Sequence, residues 1–434
     1  MPAHILFFLF CLLSLTACSG SGGTITNRQI QGGHPSTSYQ NSFQVPGHQF
    51  DISVLRSVQF SRTGNLSSAP VIELGSSQTL ELFFEVLSFD SNQFSVSFTH
   101  HNPDWTRSSL PPEFFMSGLQ RRNLDSGRVS QNQRPSYRQY QFRFPVDDLR
   151  FTKSGNYMLH LYDHDSRKTV LSLPFFVTES LGTLRSSVED FPTPRQNLRR
   201  SHRPVSSYTL PEAVEQPIFD LEFYFVQNQF WGRALKADEL DFSAPGEVRF
   251  ETGSRFAFIG DYEFLSLSLQ NLNRSNPQIF ETDPAEIPPR VILRDDISGF
   301  SAAGRAAATG RFGRPERRLS GQYATVQFTF EPGQNLFPGQ QLYLVGDFNN
   351  WSILPEYRLR FNQGLNRWTG SSVIKEGSYY YKYVVVSGNQ IDDLIFDDLF
   401  SNSQQEYHAL VYKRDHREFY YRLLQIQQFT SSRN

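Results

Sequence analysis

TLELFFEVLS, residues 79–88, sets Leu80, Leu82, Phe84 and Val86 at alternate positions. Successive side chains of an extended chain point to opposite faces, so these four line one face of a strand; a helix would need spacings of three and four. Working outward, the same period recurs in Phe94, Val96 and Phe98, in Phe142 and Phe144, in Tyr157, Leu159 and Leu161, and in Phe175 and Val177. Polar turns at Ser91-Asn92, Lys153 to Asn156 and Asp163 to Arg167 separate these runs. Short strands of this period, punctuated this often, predict a β-sandwich over residues 52–180.

Beyond that sandwich the alternation fades. Residues 181–215 gather Pro192, Pro194, Pro204 and Pro211 with Arg195, Arg199, Arg200 and Arg203, and read as a linker or extended strap. Strands resume near Ile218, Arg249 and Phe264, which predicts a middle β-domain over 216–300. SAAGRAAATGRFGRPERRLS, residues 301–320, reads as a second linker, and 321–434 as a C-terminal immunoglobulin-like domain. The expected fold class is therefore all-β: three consecutive β-sandwich or immunoglobulin-like domains joined by linkers. Composition agrees, because 40 Phe and 19 Tyr against 3 Met favour strands over helices. A formal net charge of −2 argues against nucleic acid as a partner.

The N-terminus carries ILFFLFCLLSLTA at residues 5–17, an apolar run of signal-peptide length and too short for a stable membrane span. It ends at Leu15-Thr16-Ala17-Cys18, which resembles the lipobox of bacterial lipoproteins. Residues 1–17 are expected to be removed and Cys18 to be acylated. Of the two cysteines, Cys11 leaves with the signal, so no internal disulfide, cysteine metal site or cysteine nucleophile is expected. Residues 18–51 are polar and begin Ser19-Gly20-Ser21-Gly22-Gly23. They read as a flexible tether that would span roughly 30 Å as a random coil.

Four stretches could carry chemistry. In GDFNNW, residues 346–351, Gly346 and Asp347 suit a turn, and Asn349 and Asn350 can satisfy it with side-chain hydrogen bonds. Trp351 then serves either as core or as a sugar platform, since an indole face suits both. With Trp368 and the strand from Gly377 to Val386, this span resembles the immunoglobulin-like modules attached to glycogen-acting enzymes. That resemblance makes Trp351 and Trp368 alternative sugar-binding residues. His100-His101 precede Asn102-Pro103-Asp104-Trp105. Adjacent imidazoles on an extended chain face opposite ways and cannot share a metal, so a turn with a packed Trp is expected. Tyr162-Asp163-His164-Asp165 suits a hairpin turn, and no strained nucleophile elbow accompanies it. Asp392, Asp393, Asp397 and Asp398 lack the glycine bend of a calcium loop and read as solvated charge beside a buried apolar triplet. No catalytic residue, metal or cofactor is expected.

The order of motifs in the first domain resembles the plug protein family of the bacterial type IX secretion system. Ser57-Val58-Gln59-Phe60 precedes APVIELGSSQTLEL at 69–82, then come the His100 to Trp105 turn and Ser154-Gly155-Asn156-Tyr157. The turn at 346–351 and the strand from Gly377 to Tyr383 also match the family's third domain. The resemblance implies a non-enzymatic, lipid-anchored protein on the periplasmic face of the outer membrane. Its implied partner is the outer-membrane barrel translocon, whose pore it closes, as a monomer within that complex. Turn-presented residues His100, His101, Asp104 and Trp105 are the expected partner contacts. A carbohydrate-binding lipoprotein using the C-terminal domain is the alternative.

Overall fold

The computed structural model describes residues 40–131, 133–191, 200–212, 214–253, 256–298, 313–397 and 404–432. Cys18, the expected signal, most of the expected tether and Asp398 lie outside the described residues. The molecule is all-β, and its only α-helices among the described residues are the single turns Pro112–Phe115 and Pro217–Asp220. The described residues fall within one compact unit.

The first sandwich packs two sheets. One runs Arg56–Arg62, Leu80–Val86, Arg138–Phe144 and Arg128–Val129. The other runs Gln49–Phe50, Lys168–Thr178, Gly155–Asp163, Phe94–His101 and Arg121–Asn123, with Val71–Glu73 added in parallel to Lys168–Thr178. Register places Leu82 opposite Phe142 and Leu159 opposite Phe98, so the alternate apolar residues meet between the sheets. There Phe84 stacks on Tyr140 at 4.9 Å, and both meet Phe94 edge-on. Leu80–Val86 is buried on both faces. Its outward residues, Glu81 and Glu85, are covered by the third sandwich rather than by water.

Within residues 181–215, expected as a linker or extended strap, two segments are strands instead. Thr183–Phe191 pairs in antiparallel register with Ser201–Thr209, Leu184 facing Tyr208 and Ser187 facing Val205. Leu184 and Tyr208 are buried on one face, and on the other, which Val205 shares, the charges pair: Arg203 with Glu189 at 2.7 Å and with Glu251 at 3.1 Å. Cross-strand ion pairs let an arginine-rich segment hold a strand. Pro192, Pro194, Arg195 and Arg199 lie outside the described residues. The hairpin joins Glu247–Glu251, Glu239–Asp241 and Phe258–Ile259 in one sheet of the middle sandwich.

The opposing sheet runs Leu235–Lys236, Leu221–Gln227, Glu406–Asp415 and Tyr420–Thr430. The chain's last two strands therefore close the middle sandwich, not the C-terminal one as expected. Phe223 and Phe225, opposite Val411 and Ala409, stack on Phe250 of the facing sheet and need that cover. In exchange, Leu265–Ser268, Ile279–Asp283 and Arg290–Leu293, expected in the middle domain, pair within the third sandwich around Gly377–Ser387 and Tyr323–Glu331. Local periodicity reports that a segment is a strand; it does not report which distant strand completes its sheet.

Residues 40–50 run across all three sandwiches. Gln40 bridges Gln390 of the third, Phe43 accepts the Gly232 N–H of the middle, and Phe50 pairs with Leu171 of the first.

Candidate functional site

The turn after Phe94–His101 is fixed by its own polar groups. Trp105 N–H donates to the Asn102 carbonyl at 2.9 Å, and Asp104 Oδ1 accepts from Thr106 N–H at 3.0 Å and from its hydroxyl at 2.6 Å. Trp105 adopts φ +66°, a left-handed backbone uncommon for a bulky residue. The turn does not present its indole to a partner. Trp105 is 6% exposed and packs edge-on against Phe176, among Val226, Trp231, Leu410 and Leu423. It is a seam between the first and middle sandwiches. His100 is buried too, bonded through Nδ1 to Ser108 Oγ at 2.9 Å and through Nε2 to the Ser154 carbonyl at 3.1 Å. Of the four residues expected to meet a partner, Asp104 is exposed and His101 half-buried.

His101 belongs to a chain of hydrogen bonds whose direction follows from its end. Its Nδ1 lies 2.8 Å from the Trp105 carbonyl and must donate there. Nε2 then accepts from the Thr99 hydroxyl at 2.8 Å, whose oxygen accepts from His160 Nε2 at 2.8 Å. His160 Nδ1 in turn accepts from Ser172 Oγ at 2.9 Å. Both imidazoles are neutral in this arrangement. Burial lowers His101 and pulls His160 down to about 4. Among the described residues no group of three or more His, Cys, Asp or Glu side chains is placed to hold a metal ion.

GDFNNW is a knot of backbone and side-chain bonds. Asn349 accepts from Gly346 N–H at 2.9 Å and donates to the Leu344 carbonyl at 2.9 Å. Asp347 Oδ2 accepts from the N–H groups of Gly313 at 2.7 Å and Tyr380 at 2.6 Å, while Oδ1 accepts from the Trp351 indole at 3.0 Å. Gly346 is required because a Cβ there would sit 2.5 Å from the Tyr380 carbonyl oxygen. Trp351, 2% exposed, packs with Phe43, Phe230 and Phe264 and offers no face to a sugar. Trp368 is half-buried beside Phe361, 5.6 Å away on the adjacent strand.

Two members of the acidic cluster, Asp393 and Asp397, are interior, contrary to their reading as solvated charge, while Asp392 is exposed. Asp393 takes a bond from Arg233 at 2.7 Å and one from the Tyr262 hydroxyl. Burial would raise Asp393, but Arg233 and Lys382 hold it below the usual carboxylate range. Asp397 lies 2.5 Å from Lys382, whose ammonium sits 3.8 Å from the centre of the Tyr262 ring. Burial pushes Asp397 up to about 6 against the pull of Lys382. These groups bind the middle and third sandwiches together. Glu85 and Lys375 do the same for the first and third, with Tyr323 donating to Glu85 at 2.5 Å.

The surface features that sequence patterning missed are apolar tips. Ile218 and Phe219 stand 62% and 77% exposed on the helix Pro217–Asp220, and Phe419 stands 74% exposed in the turn after Glu406–Asp415. His416 Nε2 lies 3.2 Å from Asp220, joining helix and turn. Their only sequence signal is apolar residues in segments too short to show a period.

Residues 55–179 match the model of the type 9 secretion system plug protein 1st domain. The crystal structure of a hypothetical protein from Parabacteroides merdae superposes with a TM-score of 0.77 at 21% identity, covering 88% of this chain and 99% of that one. The three-sandwich arrangement is thus a fold that also occurs in that protein. The biofilm associated protein B domain, at a TM-score of 0.19, and the C-terminal domain of an antigen I/II-family protein from Streptococcus pyogenes, at 0.17, are too distant to bear on the fold. No curated protein matches the chain. The first sandwich thus carries the likeness to the type 9 secretion system plug protein family, as that family's first domain.

Proposed function

We propose that this protein is a non-enzymatic plug, lipid-anchored through Cys18 at the periplasmic face of the outer membrane. It binds the barrel translocon of the type IX secretion system and closes its pore. The observation that carries this reading is the family match of the first sandwich, joined to a body whose sandwiches are pinned by the ion pairs Glu85–Lys375 and Arg233–Asp393. A stopper must not yield when pressed. Three sandwiches free to hinge would leak, and inter-domain motion is the default unless the interface is large and apolar. Here buried aromatic seams and ionic pins remove that freedom. A lipid tether would raise the effective concentration beside the barrel, so a modest interface suffices for reversible closure.

Deletion of the gene tests the proposal. Cells without the protein should admit large antibiotics or dyes through the open translocon, and the barrel should co-purify with the tagged protein from solubilised outer membrane. Unchanged permeability together with no co-purification would sink it. A cleavable lipoprotein leader is checked separately: Cys18→Ser should release the protein from the membrane fraction.

A further inference from the structure

A cleft of about 280 Å³ opens where the first sandwich meets the closing strands of the middle one. One wall is the turn after Arg56–Arg62, and the other is formed by His408, Ile426 and Gln428. The turn is rigid: Asn65 N–H donates to the Arg62 carbonyl at 3.0 Å, Ser68 Oγ donates to the Asn65 carbonyl at 2.8 Å, and Arg62 N–H donates to Ser68 Oγ at 3.0 Å. Arg62 Nε is fixed on the Val71 carbonyl at 3.2 Å, which sets the plane of its guanidinium. Among the described residues no carboxylate pairs with it.

The other charges around the cleft are already engaged or absent. His408 packs edge-on against Trp231, and neither ring nitrogen has a hydrogen-bond partner. Burial depresses it to about 3, so it lines the cleft as a neutral ring. The nearest acid on that wall, Glu406, is 3.8 Å from His408 and accepts from the amides of Gln229 and Gln428 at 2.9 and 2.8 Å. Val71 and Ile426 supply an apolar lining beneath the polar rim. A fixed guanidinium without an acidic partner, over apolar walls, matches an anion that is planar at its head and aliphatic behind it.

We propose that this cleft binds a carboxylate on a short aliphatic stem, held at its head by Arg62 and along its stem by Val71 and Ile426. A glutamate or aspartate side chain of a partner protein and a free small dicarboxylate share that chemistry. The site stands independently of the plug reading, since its ligand need not come from the translocon.

The test uses the full-length chain labelled with nitrogen-15 at arginine, followed by the Arg62 Nε–H resonance. Two probes are titrated: glutarate, and a blocked peptide carrying one glutamate. Glutaramide, neutral and of similar shape, is the control. Saturable movement with glutarate alone points to the small-molecule source, and saturation with the peptide to a protein side chain; either supports the site. Titration calorimetry, which needs no Arg62 resonance, compares the native chain with its variants: R62Q, verified as folded by an unchanged melting curve, should weaken the binding about tenfold or more, the effect of losing a charge-assisted hydrogen bond. No saturation with either acid, equal binding of glutaramide, or equal titration of folded R62Q overturns the proposal. If R62Q fails to fold, R62K decides instead: it keeps the charge but not the fork and should bind more weakly, and equal binding by that variant overturns the proposal too.

Discussion

Lys375 Nζ lies 2.6 Å from Glu85 Oε1, 290 residues away in sequence, and neither side chain has solvent-exposed surface. One comes from the first sandwich and the other from the third. The ammonium also sits 4.4 Å from the centre of the Tyr137 ring and donates to the Arg318 carbonyl at 3.2 Å. Burial lowers the Lys375 pKa, and Glu85 works against that shift. Replacing Lys375 by Met should strand Glu85 as an uncompensated buried charge and destabilise the protein by about 3–5 kcal/mol. The double replacement K375M with E85Q removes both charges and should recover much of that loss. Urea unfolding of the four chains in a double-mutant cycle measures it; additive losses would show that the pair is not coupled.

Trp351 separates a structural turn from a sugar platform. Its indole is enclosed by Phe43 of the N-terminal strap, Phe230 of the turn after Leu221–Gln227 and Phe264 just before Leu265–Ser268. Trp351→Ala should therefore cost about 3–5 kcal/mol. The loss should appear as a lower melting temperature, with or without glycans present. A folded W351A of unchanged stability that had lost glycan binding would reverse this assignment.

Legibility in the sequence followed the range of each interaction. The alternation in Leu80, Leu82, Phe84 and Val86 is local, and it marked the strand and its inner face correctly. The opposite face carries Glu81 and Glu85, which by themselves read as solvent-facing. They are interior only because Arg317, Lys375 and Tyr323 arrive from more than two hundred residues away. The hairpin around Ser187 and Val205 was hidden for a related reason, since its arginines signal a loop until Glu189 and Glu251 are brought opposite them. Trp105 reads the same way whether it faces a partner or a neighbouring sandwich. Only the packing of Phe176 against it decides.

Acid should weaken the fold before most carboxylates titrate. Burial depresses His100, His160 and His202 to about 4 and His408 to about 3. Each folded-state value lies below the ordinary histidine value of 6.5, so the native form holds fewer protons than the unfolded chain. Their contribution to stability is fully present above about pH 6.5 and is lost as pH falls towards 4. Melting temperature should drop across that window. His160→Gln removes one titrating group and should flatten the slope, because an amide can still bond to Thr99 and Ser172. An unchanged slope in H160Q would mean that His160 carries a proton in the folded state.

Phe219 and Phe419 are the exposed aromatics best placed for a partner. They stand on a helix and a turn held together by His416 and Asp220, beside the ion pair of Lys153 and Glu418 that ties the turn to the first sandwich. Rigidly mounted aromatics lose little conformational freedom on docking, and large aromatic side chains dominate binding energy at protein interfaces. Neither ring contributes to an interior cluster, so F219D and F419D should shift stability by only about 0.5 kcal/mol or less. If these tips meet the translocon, each variant should reduce its co-purification by about tenfold or more, the scale of a lost hot-spot residue. The measurement is a quantitative pull-down alongside thermal melting. Full co-purification with both variants would move the contact elsewhere on the surface, while leaving the closure proposal to be judged by permeability of the deletion strain.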